Sequence, residues 1–577
     1  MRRLFAPFLA GAIVVACAPT TPPDRAAPSA TDGYDLVIEN GRIVDGTGAA
    51  WFHGDVAIDG ARIARITPAG LLRDAAASER IDVRGLVVAP GFIDIQSHSR
   101  GAFLRGDGRV VSKVTQGITT EIMGEAGTNA PLSAAMLEEA LADTSLTAED
   151  ASMLRSFAGP DGFDAWLRAM EAHGVSPNIG SFVGASTIRV YGKGLAMGPA
   201  TPAELDSMRK AVRWAMEDGA FGIGTALIYP PGNFASTEEL VELAHAMEPY
   251  GGVYITHMRS EADSLLVAID EAVEIGRRAD VPVEIYHLKA AGTRNYYKMP
   301  LAIAKIDSAR ETGIDVQANM YPYIAGGTGL AACLPPWASA EGRLFENLED
   351  AATRARIREE MLSTAPKAWE DLCGLATPEG VLLLGLEEDE NLRWRGMRLS
   401  EVANALDKHW FDAMVDLLLS ERQGIGTIYF LMSEENTVLQ MRQPWIKFGT
   451  DAGGYDPTTA EGLAHPRAYG TFPRILGKYV REEGVMPLEE AVRKMSSAVA
   501  TRLSIGDRGL LREGFYADIV IFDPETVIDR ATFEDPHQLS VGVRHVLVNG
   551  VPVVRDGTHT GAKPGMIVRG PGWEGRP

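Results

Sequence analysis

The chain has 577 residues, of which 46% are hydrophobic, and a formal net charge of -22. This length and composition allow a large buried core and exclude a disordered or fibrous protein. The strong acidity argues against nucleic acid as a partner, because a phosphate backbone is bound by a basic face.

The N-terminus has the pattern of an export signal. Arg2 and Arg3 precede an apolar run, residues 4–15, that is too short for an ordinary spanning helix. The run leads to Cys17 in the order Val-Val-Ala-Cys, which resembles the lipobox of bacterial lipoproteins. We therefore expect residues 1–17 to be a lipoprotein signal peptide whose cleavage leaves a lipid on the cysteine. A plain secretory signal with an incidental cysteine is the alternative.

The lipobox predicts a place in the bacterial cell envelope. Ala18 follows the cysteine where a retention aspartate would stand, which favours the periplasmic face of the outer membrane. Residues 18–33 are rich in Pro, Ala and Thr and are expected to be a linker. Apart from Cys17, the cysteines are Cys333 and Cys373. A disulfide between them is one possibility in an oxidising envelope, but we favour buried free thiols.

Both chain ends carry β-hairpin patterns. Residues 35–45 and 55–66 are apolar and β-branched around Asn-Gly and Asp-Gly turns, and residues 517–522 and 545–554 provide similar runs near the C-terminus. We expect one small β-sandwich domain built from residues 34–88 and 505–577, with a large central domain inserted between its halves.

The central region, residues 89–504, alternates strand and helix patterns. Helices are expected at residues 202–217 and 236–247, for example. Alternation of this kind with eight strands predicts an α/β protein with a TIM-like (β/α)8 barrel. The predicted strands are residues 86–98, 117–123, 178–183, 222–229, 253–257, 283–287, 315–321 and 447–451.

A longer passage separates the last two predicted strands. It runs from about residue 334 to 440 and has helical stretches near residues 348–362 and 400–419. An insertion after the carboxyl end of a barrel strand overhangs the active face. We therefore expect a helical insertion that closes over a substrate.

Two histidines occupy matching strand ends. His257 follows one β-type run and His287 the next, with a helical segment between them. Parallel strands joined in this way lie side by side, so both imidazoles are expected at one edge of the sheet, where neutral imidazole suits a zinc-like cation.

An ordered set of motifs runs along residues 35–555. The motifs include LVIENGRIVDGTG, VVAPGFIDIQSHS, YITHMRSE, YHLKAAG, MSEEN, FGTDAGG and GFYADIVIFDP. Together they resemble the amidohydrolase superfamily and, within it, the N-acyl-D-amino-acid deacylases, or D-aminoacylases. The resemblance implies metal-dependent hydrolysis of a linear amide, most simply of an N-acyl-D-amino acid.

The resemblance also implies a ligand set. His257 and His287 correspond to metal ligands, and Asp451 to the carboxylate that moves a proton from water to the departing amine. The family's His-x-His pair is here Gln96-Ser97-His98, so one imidazole is replaced by an amide. The family's bridging cysteine is absent; Glu125 is favoured in its place, with Glu121 as the alternative.

We therefore expect a single divalent ion, zinc, held by His257, His287 and Glu125, with His98 as a weak extra ligand or hydrogen-bond donor. Lys289, Tyr321 and Arg467 match the family groups that hold a substrate α-carboxylate. For Arg467, pairing with an acid of the chain is the alternative.

The expected partner is a small N-acyl amino acid or a related amide, with membrane contact only through the lipid. A dipeptide or cyclic amide as substrate is a second possibility on the same site. A third, of another class, is a lipid-anchored binding protein on a retired enzyme scaffold, suggested by Gln96 and the missing cysteine. The sequence does not indicate an oligomeric state.

Overall fold

A ring of parallel strands forms the centre of the protein. The computed structural model describes residues 33–365 and 367–575. A three-stranded and a six-stranded parallel sheet follow each other in chain order, and a parallel bridge between Ser97 and Ala452 connects the first strand run to the last. The ring strands are Phe92–Asp94, Ile118–Met123, Asn178–Ser181, Val183–Gly184, Gly222–Ala226, Val253–His257, Val283–Ile285, Val316–Met320 and Ile446–Phe448.

Hydrophobic patterning explains how helices pack outside this ring. Val253–His257 is buried at every residue, as expected for a strand covered on both faces. The helix Leu265–Ala279 buries Leu265, Ala268, Ile269 and Ala272, which lie on one face at helical spacing. The other helices outside the insertion are Arg100–Leu104, Val111–Val114, Ala134–Leu141, Ala148–Ser156, Gly162–His173, Ala185–Lys193, Pro202–Glu217, Thr237–Met247, Met299–Glu311, Arg467–Arg474, Leu488–Met495 and Ser497–Arg502.

The two chain ends meet in one hydrogen-bonded, nine-stranded sheet. Val87–Pro90, from the N-terminal half, pairs antiparallel with Ile519–Phe522 from the C-terminal half. Buried residues from both halves, such as Ile38 and Ile519, share one hydrophobic cluster. The strands are Tyr34–Ile43, Phe52–Asp59, Arg62–Pro68, Ala77–Asp82, Val87–Pro90, Ile519–Phe522, Val543–Val548, Val551–Arg555 and Thr558–His559.

The region between the last two ring strands contains a small sheet as well as helices. Ala325–Gly329 and Val381–Leu383 both pair antiparallel with Gly426–Phe430. The prediction of a helical insertion missed this sheet, because one strand is rich in glycine and another has three residues. The helices are Leu344–Glu349, Ala351–Leu362, Leu372–Ala376, Leu399–Ala405, Trp410–Glu421 and Glu434–Met441.

Cys333 and Cys373 form a disulfide, with Cα atoms 5.1 Å apart. The prediction that they are free thiols is therefore wrong. The two residues are 40 positions apart in sequence, and packing within the insertion brings them together, which no local pattern around either cysteine indicates.

Within the described residues, no helix combines the length and apolarity that crossing a membrane requires. The predicted signal peptide, residues 1–17, and almost all of the predicted linker, residues 18–33, lie outside the described residues.

Candidate active site

A pocket of about 290 Å³ opens at the carboxyl ends of the ring strands. His257 is the last residue of its strand, and Tyr321 directly follows another. The insertion contributes further wall residues, including Glu370 and Leu372. This edge is where βα loops place functional side chains in barrel enzymes. The pocket therefore combines strand-end side chains with a covering segment, as expected from the sequence.

Glu125, His257 and His287 converge on one point of this pocket. Glu125 Oε1 lies 3.3 Å from His257 Nδ1 and 3.4 Å from His287 Nε2. Neither ring nitrogen of His257 has a hydrogen-bond partner among the described residues, although both are buried. Unpaired buried imidazole nitrogens are costly unless they bind something else. The three side chains therefore form a set of potential metal ligands with one carboxylate and two imidazoles.

The Glu261 carboxylate lies close to the ring nitrogens of His257 and His287 that do not face Glu125. It lies 2.9 Å from His287 Nδ1 and 3.3 Å from His257 Nε2, and it accepts hydrogen bonds of 2.7 and 2.8 Å from Lys289. Burial alone raises the pKa of Glu261, but the adjacent His257, Lys289 and His287 together hold it well below its ordinary value. An ionised carboxylate behind ligating histidines fixes their tautomer and orientation.

Asp451 stands beside this set and contacts two cationic or donor side chains. Its Oδ1 is 2.9 Å from His98 Nε2, and its Oδ2 is 2.6 Å from an Arg467 guanidinium nitrogen. Burial raises the pKa of Asp451, but Arg467, His287 and the hydrogen bond from His98 together outweigh this and lower it. His98, Glu125 and Asp451 form a second set of potential ligand atoms within 4.8 Å of one another, and the two sets share Glu125.

Gln96, which replaces a family histidine, and Glu121, the alternative acidic ligand, have different partners. Gln96 donates a 2.6 Å hydrogen bond to Glu125 Oε2, so its amide orients the carboxylate. Glu121 instead accepts a 2.6 Å hydrogen bond from Ser99 and lies 3.5 Å from Lys113 Nζ, with no exposed surface. Of the two candidate acidic ligands, Glu125 therefore lies next to the histidines, whereas Glu121 contacts Ser99 and Lys113.

The three residues predicted to bind a substrate carboxylate all line the pocket. They differ in whether their hydrogen-bond donors already have partners within the protein. Lys289 is engaged by Glu261, as described above. Arg467 stacks on the Tyr321 ring at 4.7 Å and keeps Nε without a hydrogen-bond partner among the described residues. The Nδ1 of His465 accepts a 3.1 Å hydrogen bond from the Arg467 backbone, which fixes the start of the helix Arg467–Arg474.

Two of the site residues have left-handed backbone conformations. His287 has φ of 30° and Asp451 has φ of 50°. A non-glycine residue in this region costs on the order of 1–3 kcal/mol, and such strain clusters at functional sites. Both residues lie just beyond short ring strands, where the turn directs their side chains into the pocket.

Sequence reasoning missed Glu261 and Glu370 as site residues. Glu261 was visible in the motif YITHMRSE, four residues after His257, but it follows a strand rather than lying on a helix. Glu370 lies in the insertion, and its backbone partner Glu261 is 109 residues away. No spacing rule connects such a pair.

Comparisons with known proteins agree with this geometry. Residues 441–554 match a family model described as Amidohydrolase family. The chain is 34% identical to a D-aminoacylase of Alcaligenes xylosoxydans xylosoxydans, covering 93% of this chain and 97% of that protein. It is also 34% identical to an N-acyl-D-aspartate deacylase of the same organism, covering 92% and 95%.

A solved structure is similar over the same length. The N-acyl-D-glutamate deacylase of Bordetella bronchiseptica, complexed with zinc and a phosphonate inhibitor, is 30% identical, with a TM-score of 0.75 over 93% of this chain and 100% of that one. The likeness extends over both the strand ring and the sheet formed by the chain ends. The chain is an α/β protein and belongs to the D-aminoacylase family of amidohydrolases.

Proposed function

We propose that the protein hydrolyses the amide bond of N-acyl-D-amino acids with a divalent metal ion. The observation that carries this proposal is the convergence of Glu125, His257 and His287 beside Asp451 and Arg467 in one pocket. The relatives named above are a D-aminoacylase and two deacylases whose named substrates, N-acyl-D-aspartate and N-acyl-D-glutamate, differ in side chain. Their shared reaction supports amide hydrolysis, and their differences leave the side chain to be argued from this chain's own pocket.

Zinc is the proposed ion, and Glu125, His257 and His287 would hold it. A divalent ion there would acidify water and polarise the scissile carbonyl. The unpaired nitrogens of His257 and the carboxylate brace of Glu261 fit this role. The zinc in the related deacylase structure supports the choice of metal.

One ion is proposed to be sufficient for activity. Gln96 already donates to Glu125 Oε2, and a neutral amide is a weak zinc ligand. The set of His98, Glu125 and Asp451 is the specific alternative place for a second ion. Titration of the metal-free protein with zinc is expected to restore full activity at one equivalent. A plateau reached only at two equivalents would contradict the single-ion proposal.

Asp451 is proposed to move the proton. Its lowered pKa keeps it ionised at neutral pH, so it is able to accept the proton that the attacking water loses. It then returns this proton to the amine nitrogen as the carbon–nitrogen bond breaks. His98, 2.9 Å away, donates to the same carboxylate and holds its orientation.

Arg467 and Tyr321 are proposed to hold the substrate α-carboxylate. Within the described residues the Nε of Arg467 has no hydrogen-bond partner, which leaves a donor for a bound carboxylate, and a guanidinium suits carboxylate geometry. Lys289, paired with Glu261, contributes positive charge nearby. Arg467→Ala is expected to raise KM at least about tenfold and to reduce D/L discrimination, measured on N-acetyl-D- and N-acetyl-L-leucine. Unchanged KM and discrimination would assign carboxylate binding to another group.

The proposed domain organisation places this site in a (β/α)8 barrel of residues 89–504, with an insertion at about residues 334–440. A β-sandwich domain of residues 34–88 and 505–577 would complete the mature protein. The Ser97–Ala452 bridge between the first and last ring strands supports the barrel, and the sheet shared by both chain ends supports a composite chain-end domain.

A panel of N-acetyl-D-amino acids, their L-enantiomers, dipeptides and cyclic amides tests the function directly. Release of free D-amino acid is the expected result. Hydrolysis confined to dipeptides or cyclic amides would change the substrate class, and binding without turnover in the zinc-loaded protein would indicate a retired enzyme.

A further inference from the structure

The insertion places a buried carboxylate, Glu370, in the pocket wall. Glu370 is 9% exposed, and its Oε2 accepts a 2.7 Å hydrogen bond from the backbone N–H of Glu261. Its Oε1 is buried and has no hydrogen-bond partner among the described residues. An unsatisfied buried acceptor is unfavourable in the empty pocket, so the arrangement points to a donor that arrives with a ligand.

Little within the described residues offsets the charge of this carboxylate. Lys289 and a hydrogen bond from the Ser260 hydroxyl each lower its pKa slightly, but the Lys289 ammonium forms two hydrogen bonds with Glu261. Burial, and then the neighbouring Glu261 carboxylate, outweigh these contacts and raise the pKa of Glu370 to about 7. The other pocket residues from the insertion are Leu372, Leu431 and Tyr429, whose hydroxyl donates to the backbone of Gly329. Glu370 is therefore the carboxylate of a largely apolar part of the wall.

Glu370 lies on the side of the pocket that the proposed function assigns to the amino acid. The α-carboxylate is assigned to Arg467 and Tyr321, and the Lys289 ammonium is 5.9 Å from the Tyr321 ring. Lys289 binds Glu261, and the backbone of Glu261 binds Glu370. Glu370 and the carboxylate-binding residues therefore line one pocket and are linked through Lys289 and Glu261, which puts this wall within the space available to a substrate side chain.

We propose that Glu370 binds the cationic end of the substrate side chain, so that the preferred substrates are N-acyl-D-amino acids with a basic side chain. This inference rests on the proposed deacylase function. An apolar wall holds the methylene groups of such a side chain, and the carboxylate at its end binds the ammonium or guanidinium. An acidic side chain, as in the substrates named for two of the relatives, would bring like charge to Glu370 and Glu261.

The test compares N-acetyl-D-lysine with N-acetyl-D-norleucine, which has the same chain without the ammonium, and with N-acetyl-D-glutamate. For the zinc-loaded wild type, kcat/KM is expected to be at least about tenfold higher for the lysine compound than for either other compound, as for a hydrogen bond to a charged group. In Glu370→Gln, the lysine-to-norleucine ratio is expected to fall at least about tenfold.

Glu360→Gln is the matched control. Glu360 lies in the same insertion, where it accepts hydrogen bonds from the indoles of Trp337 and Trp369 away from the pocket. The lysine-to-norleucine ratio of kcat/KM in Glu360→Gln is expected to equal that of the wild type. Circular dichroism and thermal melting establish that both variants are folded.

The outcomes separate this inference from the proposed function. If no N-acyl-D-amino acid is hydrolysed, both fail. If norleucine or glutamate compounds are preferred by the wild type, or if Glu370→Gln leaves the ratio unchanged, the assignment of Glu370 is wrong while the deacylase function stands. The wild-type comparison decides the question even if Glu370→Gln does not fold.

Discussion

The two oxygens of the Asp451 carboxylate have different partners, and this division determines what the residue is able to do. Arg467 neutralises one oxygen at 2.6 Å, and His98 orients the other at 2.9 Å. The carboxylate therefore remains ionised, close to the proposed ion and to Arg467, the proposed substrate-binding residue. A carboxylate in that position is able to accept a proton during attack by water and to return it when the amine departs.

Replacing Asp451 with Asn tests this role. The amide keeps the shape of the side chain but cannot accept and return a proton, so turnover is expected to fall at least about a hundredfold. Zinc content, measured after desalting, is expected to stay at the wild-type level. Asp456→Asn is the control, because Asp456 pairs with Arg109 outside the pocket. Turnover near that of the wild type in Asp451→Asn would remove Asp451 from the mechanism.

Glu261 supports a second prediction at the level of single residues. Glu261→Gln removes the charge that faces both imidazoles and Lys289, so zinc affinity is expected to fall about 10- to 100-fold. Competition with a chromophoric chelator measures this affinity without reference to activity. Glu271→Gln, which alters a carboxylate bound to Arg259 outside the pocket, provides the control. Equal zinc affinity in the wild type and in Glu261→Gln would show that the charge of Glu261 is not needed for zinc binding.

These residues also show what a single sequence is able to predict about a site. The sequence predicts His257 and His287 because each ends a β-type run, and strand ends converge in a parallel sheet. It favours Glu125 over Glu121 because Glu125 lies one residue before the family's cysteine position while Glu121 lies within the strand, and in the structure Glu125 contacts the histidines. The second carboxylates, Glu261 and Glu370, were not predicted, because their roles depend on a loop and an insertion packing against each other.

At the level of elements, the insertion has its own hydrophobic core. Leu348, Phe411 and Tyr429 belong to a buried cluster made largely of insertion residues. The predicted helical stretches near residues 348–362 and 400–419 overlap the helices Ala351–Leu362 and Trp410–Glu421. The sheet escaped prediction because the pattern of Ala325–Gly329, AGGTG, lacks the large residues that mark a strand. The partner strand Gly426–Phe430, GTIYF, contains the large residues instead.

The disulfide within this insertion leads to a prediction about stability. Cys373 directly follows Leu372, a pocket residue, so the cross-link ties the pocket wall to Cys333. For a separation of 40 residues, the loop-entropy model gives a loss of about 4 kcal/mol when both cysteines become serine. Urea unfolding of the double variant is expected to show a lower midpoint, and KM is expected to change more than kcat. An unchanged midpoint would mean that the insertion core alone determines stability.

At the scale of the whole molecule, buried polar contacts join the chain-end sheet to the strand ring. Asn178, on a ring strand, donates to Asp518 at 3.1 Å and accepts a 2.8 Å hydrogen bond from Asn549. Asp518 also pairs with the buried Arg508. The sequence predicted that both chain ends form one unit, because both show β-hairpin patterns. It contained no sign of the contacts to the ring, since Asn178 is 340 residues from Asp518 and 371 from Asn549.

The location of the molecule gives the last prediction, which concerns residues 1–18, outside the described structure. The lipobox sequence and the Cys333–Cys373 disulfide both support an oxidising envelope, where a lipid on Cys17 would hold the protein at a membrane. Cys17→Ser is expected to move the protein from the detergent-extractable membrane fraction to the soluble fraction, measured by cell fractionation. Ala18→Asp provides a second variant that keeps the cysteine; it is expected to stay at a membrane but to move from the outer to the inner one. Native protein found wholly in the soluble periplasm would show that residues 1–17 act as a plain secretory signal.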